Sequence, residues 1–160
     1  MFVGSARVAI DEKCRITIPS IFRMFLAGDD QSGLIVTAGG GTGSKNLTLY
    51  PATYFRATIV PAVRRRAASS AEPEKLILAL SERSQFAAID VQGRLVLPRH
   101  LVDLVGLGPE PVVVGALEWL ELWNVGDLEA AAAGGGDFFK GLSRELLGFD
   151  KKSGDAQAPG

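Results

Sequence analysis

Ile10-Asp11-Glu12-Lys13-Cys14-Arg15-Ile16-Thr17-Ile18-Pro19 has a second version 79 residues downstream, Ile89-Asp90-Val91-Gln92-Gly93-Arg94-Leu95-Val96-Leu97-Pro98. Both read as an apolar residue, Asp, a three-residue spacer, Arg, then an alternating apolar segment ending in Pro. The correspondence runs on: Phe22, Phe25 and Leu26 fall where Leu101, Leu104 and Val105 fall. Leu34-Ile35-Val36 answers Val112-Val113-Val114, and Leu47-Thr48-Leu49-Tyr50 answers Leu120-Glu121-Leu122-Trp123. Self-similarity at a fixed offset marks a repeated structural unit. The chain therefore reads as a tandem duplication.

Each copy predicts the same element order. A strand ends near Asp11 (Asp90), a tight turn follows, and a second strand carries Ile16 and Ile18 (Leu95 and Leu97) on one face. Pro19 and Pro98 suit the first turn of a helix, where a missing N–H has no partner to lose. Phe22, Phe25 and Leu26 (Leu101, Leu104 and Val105) form the apolar stripe of that short helix. Two more strands close a second hairpin. A β-β-α-β-β unit this small buries too little surface to stand alone, so the two copies are expected to pack as one pseudo-twofold unit. The fold class is α+β, mostly β.

The copies span residues 3–54 and 82–126. Residues 55–81 read as a linker, with Arg64-Arg65-Arg66 and an Ala/Ser stretch followed by a helix over 72–80. Residues 127–148 read as a C-terminal helical segment: one short helix over 127–133, stopped by Gly134-Gly135-Gly136, then a second over 137–147. The polar tail 149–160 is expected to be disordered.

Asp at the head of a tight turn accepts hydrogen bonds from backbone N–H groups two residues on. Gly93 supplies the positive φ such a turn uses. Arg15 and Arg94 then leave their turns at a rim, where a guanidinium can fork onto phosphate or a guanine edge. A solvated hairpin turn is the alternative for one such motif; two copies that keep Asp and Arg while their other residues diverge favour a functional pair.

Composition narrows the classes. Among 160 residues, 17 Lys and Arg stand against 18 Asp and Glu, a net charge of -1. Residues 1–75 carry +4 and residues 76–160 carry -5, which permits an anionic partner on one face. One cysteine makes no internal disulfide, and with one histidine it makes no Cys/His zinc site. No apolar run approaches the length of a membrane span. The first residues lack the pattern of a signal peptide, so a cytoplasmic protein is expected. Residues 39–45 look like a phosphate loop but lack Gly-Lys-Ser/Thr in order and a following helix. His100 has no catalytic companions and is expected to be exposed; Tyr50, Trp119 and Trp123 read as core. No nucleophile–base pair can be assembled, and neither an enzyme nor a cofactor is expected.

Met1-Phe2-x-Gly4, Asp11-Glu12-Lys13-x-Arg15-Ile16-Thr17-Ile18-Pro19 and Phe22-Arg23 resemble the start of the MraZ family. Asp90-x-Gln92-Gly93-Arg94-Leu95-Val96-Leu97-Pro98 and Glu121-Leu122-Trp123 resemble its second half. The resemblance implies tandem SpoVT/AbrB-like domains of the swapped-hairpin type and ring-shaped homo-oligomers. It also implies a nucleoid-associated transcriptional regulator, expected to be a repressor, that binds direct repeats in double-stranded DNA upstream of the division and cell-wall gene cluster. Carried over by position, the DNA-facing residues are Asp11 and Arg15, and Asp90 and Arg94; Gly93 joins them as the turn glycine, Lys13 and then Arg7 are candidates for added phosphate contacts, and Arg64-Arg65-Arg66 is a lesser candidate that reads first as a solvated linker. Cys14 departs from the glycine usual there. Either the first turn differs in shape or it tolerates strain, which makes Arg15 the weaker assignment; next to Lys13 and Arg15, the thiol could have a lowered pKa. An AbrB-like antitoxin and an assembly module without DNA binding are the competing functions.

Overall fold

The computed structural model of the chain describes residues 1–148. Its eight strands are β1 (Ser5–Arg7), β2 (Arg15–Thr17), β3 (Gly33–Ala38), β4 (Leu47–Pro51), β5 (Ser84–Ala88), β6 (Arg94–Val96), β7 (Val112–Gly115) and β8 (Leu120–Trp123). Six of them form one antiparallel sheet in the order β1-β7-β8-β4-β3-β5, and β2 and β6 form a separate two-stranded antiparallel ribbon. Exchanging every strand with its counterpart four positions along the series turns that order into its own reverse and leaves the ribbon unchanged. The topology thus has an internal twofold.

Strands cross between the copies. β1 pairs with β7, β5 with β3, and β2 with β6, while only β3–β4 and β7–β8 are local hairpins. β4 pairs with β8 where the two halves of the sheet meet. Each half therefore completes the other, which answers the shortage of buried surface in one small unit.

The two short helices after the ribbon strands are α1 (Ser20–Arg23) and α5 (Arg99–Val105). Pro19 and Pro98 lie one residue outside them, at the N-cap, with extended ψ angles of 140° and 114°. Phe22, Leu26 and Leu101 are buried. Phe25 (50% exposed) and Leu104 (54%) are not, so the expected stripe is narrower than three residues in each copy. Phe25 instead meets Phe2 edge to face at 6.4 Å. One cluster joins Ile16, Ile18, Leu95 and Leu97 from the ribbon strands and the residues just after them to Phe22 and Leu101. It extends to Leu34, Leu49, Val113 and Leu120 of the sheet.

Two expectations are corrected. The strand expected to reach Asp11 ends at Arg7; beyond it the backbone stays tied to residues before β7, through Val8 N–H to Pro111 O (3.0 Å) and Ile10 N–H to Pro109 O (2.8 Å). The start of the linker is helical: α2 (Ala52–Tyr54), a π turn (Phe55–Ile59) and α3 (Val60–Ala68) run without a break, and α4 (Pro73–Glu82) follows. Ala and Arg are strong helix formers, which outweighs the lack of an apolar stripe across the arginines. The π turn ends two residues before Pro61, whose missing N–H removes a donor from the ladder.

The glycine loop between β3 and β4 is tied down from β8. Glu121, 2% exposed, accepts hydrogen bonds from Thr42 N–H (2.8 Å), Thr42 Oγ1 (2.7 Å), Trp119 Nε1 (2.8 Å) and Trp123 Nε1 (2.8 Å). Tyr50 and Trp123 are buried as expected, whereas Trp119 is half-buried.

A first compact unit comprises Met1–Asp127, and a second begins at Leu128. Helices α6 (Val125–Ala132) and α7 (Gly135–Leu147) replace the expected 127–133 and 137–147. Gly134 adopts a left-handed conformation between them, and Gly135 and Gly136 already belong to α7. The tail 149–160 lies outside the described residues.

Candidate nucleic-acid interface

The two Asp-x-x-x-Arg turns are built by the same hydrogen bonds. In turn 1, Asp11 Oδ1 accepts the N–H groups of Lys13 (3.0 Å) and Arg15 (2.8 Å), and Oδ2 accepts Arg15 Nε (2.7 Å). In turn 2, Asp90 Oδ1 accepts the N–H groups of Gln92 (2.9 Å) and Arg94 (3.0 Å), and Oδ2 accepts Arg94 Nε (2.8 Å). The backbone matches as well: Asp11 N–H to Arg15 O and Cys14 N–H to Asp11 O are both 2.9 Å, as are their counterparts in turn 2. Both carboxyls titrate below their ordinary value of 3.8. In each, the main cause is the arginine's backbone N–H, with its guanidinium adding to the effect.

Cys14 takes the left-handed conformation of Gly93, with φ of 60° against 77°. The first turn therefore keeps the shape of the second and tolerates the strain. The thiol is not activated: it is 5% exposed, and burial pushes its pKa up. Gly93 serves a further purpose. A Cβ there would overlap Arg23 Nη1, which reaches over the glycine to donate to Gln92 O (3.2 Å). Arg99 Nη2 donates to Glu12 O (3.4 Å) in turn 1. Each helix thus sends an arginine onto the turn of the other copy. Arg23 and Arg99 occupy unmatched positions in the two copies, so the repeat itself gives no signal for this role.

The ribbon brings the turns together. β2 and β6 pair as Arg15↔Val96, Ile16↔Leu95 and Thr17↔Arg94. Ile16 and Leu95 point into the core. Alternation and cross-strand pairing place Arg15, Thr17, Arg94 and Val96 on the opposite, outer face. Arg15 and Arg94 are thereby set at the two ends of the ribbon, roughly 7 Å apart along the strands. Each spends its Nε on an aspartate; among the described residues, the terminal guanidinium nitrogens of both make no hydrogen bond within the chain. With both aspartates paired to their own arginines, Lys13, Arg23 and Arg99 stand against Glu12 and against Asp103, which also acts on the first turn.

The site thus unites Asp11, Lys13, Arg15, Asp90, Gly93 and Arg94. It omits Arg7, which lies on β1 and donates to Glu110 O at 3.1 Å, and Arg64-Arg65-Arg66, exposed on α3. Thr17 and Val96 join it through the strand pairing. His100 is exposed, and no group of metal-ligating side chains occurs among the described residues.

No family model matches the chain. Individual proteins do. "Transcriptional regulator MraZ" of Rhodococcus jostii (strain RHA1) is 35% identical over 126 residues, 78% of this chain and 81% of that protein. Its namesakes in Corynebacterium diphtheriae (35%) and Corynebacterium glutamicum strain R (36%) align over the same shares. The chain belongs to the MraZ family. The aligned length is close to that of the unit Met1–Asp127, which contains the sheet, the ribbon and both turns. Within that unit, this MraZ family member carries Arg15 and Arg94, both partly exposed, on the outer face of the ribbon. No helix among the described residues is long and apolar enough to cross a membrane.

Proposed function

We propose that the chain is a transcriptional regulator that binds double-stranded DNA sequence-specifically through the outer face of the β2–β6 ribbon and its two turns. The observation that carries this reading is the pair of aspartate-braced arginines with free terminal nitrogens on one exposed face. A two-stranded β-ribbon fits the major groove, which is about 12 Å wide. A guanidinium held by its Nε presents a planar pair of donors suited to guanine O6 and N7 or to a phosphate. Arg15 and Arg94 are the contacts, Lys13 adds to phosphate binding, and Asp11 and Asp90 act as positioning residues. Their oxygens are occupied by the turns and would repel phosphate if they were not.

The family resemblance supplies the rest. The core is the AbrB-like swapped-hairpin arrangement, and copies of the chain assemble into a ring. The operator consists of direct repeats upstream of the division and cell-wall genes, where binding represses. A ring fits the modest charge, because several weakly binding faces on one repeated DNA gain affinity through effective concentration.

The reading is tested by titrating the protein onto the duplex upstream of its own gene and onto a scrambled duplex, at rising salt. It predicts preference for the native duplex, with affinity for both falling as salt rises through counterion release. Equal, weak binding to both would refute sequence-specific recognition.

A further inference from the structure

The two turns share every backbone hydrogen bond, so they project the two residues after the aspartate in the same way. Those residues differ completely. Turn 1 presents Glu12 and Lys13; turn 2 presents Val91 and Gln92. All four are exposed, and Val91 is exposed in full. Arg99 and Arg23 hold the carbonyls beneath them, at Glu12 and at Gln92. The tips therefore differ in chemistry although the two turns share one backbone form, and their arginine supports differ too, one on the first residue after Asp11 and the other on the second after Asp90.

An internal twofold with identical tips would match a palindromic site, because the two DNA strands show the same edges to symmetry-related turns. Tips of unlike chemistry cannot both fit such a site. We infer that, within the element one protomer reads, turn 2 is set against an A·T pair and turn 1 against a G·C pair. This rests on the DNA-binding reading above. The Val91 methyls suit the thymine C5-methyl group, and the Gln92 carboxamide both donates and accepts, as adenine N6 and N7 require. Lys13 offers only donors, which suits guanine O6 and N7, and Glu12 accepts from the cytosine amino group.

The experiment selects bound sequences from a pool of randomised duplexes, using the full-length protein and the double variant Val91→Glu, Gln92→Lys. The parent enriches an element with distinct A·T and G·C parts. In the variant, the A·T part is replaced by an inverted copy of the G·C part. Deoxyuridine in place of the contacted thymidine removes one methyl group and weakens the parent about fourfold, the worth of one buried methyl. Val91→Ala loses that sensitivity. A palindrome enriched by the parent overturns the inference. So does an unchanged preference in a double variant that keeps its circular dichroism spectrum, or equal sensitivity to uracil in the parent and Val91→Ala. Failure of the parent to enrich any sequence overturns the DNA-binding reading itself, and this inference with it.

Discussion

Arg94 is aimed by its own turn. Asp90 takes its backbone N–H and its Nε, leaving only the terminal nitrogens to reach outward, and Asp11 does the same for Arg15. The left-handed residue before each arginine is where the copies diverge. Gly93→Ala introduces left-handed strain and displaces Arg23, so it is expected to lower unfolding free energy by about 1–2 kcal/mol in urea titrations. Cys14→Gly removes strain already present but loses a buried thiol, and is expected to stay within about 1 kcal/mol of the parent. A larger loss for Cys14→Gly than for Gly93→Ala would contradict the common turn geometry. The aspartates also set an acid limit. Their folded pKa values lie below 3.8, so the stability they contribute is present above that value and is lost as pH falls through the folded pKa. Urea midpoints are expected to fall as pH drops below about 4, and to fall less in the Asp11→Asn, Asp90→Asn variant. An identical fall in both proteins would show that other groups control it.

Elements depend on partners from the other copy. Glu121 on β8 is the clearest tie within the sheet, since its buried carboxylate collects four donors from the β3–β4 loop and two tryptophans. Glu121→Gln turns an amide N–H₂ toward those donors and is expected to cost about 2–4 kcal/mol, measured by thermal and urea unfolding. A neutral effect would mean that the loop is held by other contacts, such as Gly41 N–H to Tyr50 Oη at 3.0 Å. Much of this level was legible in the sequence. Alternation marks Ile16 and Ile18, and the repeated Asp and Arg mark both turns, because these signals are local. Strand partners are not local: nothing in the run around Arg15 names Val96 as its neighbour, and only the family resemblance implies exchange. Likewise Thr17 and Val96 enter the site through pairing, and Arg23 and Arg99 through the crossing of each helix onto the other turn. The helix over α3 was obscured because its arginines lack an apolar stripe, although their helix propensity is high.

At the scale of the molecule, a self-reversing strand order places two equivalent turns at the ends of one ribbon, and unlike residues stand at their tips. The chain needs no overall positive charge for this, because a net charge of -1 leaves room for one basic face. Chain copies in a ring would repeat that face at fixed spacing. The proposed DNA contacts are the two braced arginines. The most direct measurement compares the parent with the Arg15→Ala, Arg94→Ala variant for binding to the duplex upstream of the gene, with melting temperature followed in parallel. Losing two bidentate contacts is expected to weaken binding by about a hundredfold or more while melting changes little, since both side chains are partly exposed. Undiminished affinity in a folded variant would contradict the account and move the DNA-binding surface away from the ribbon.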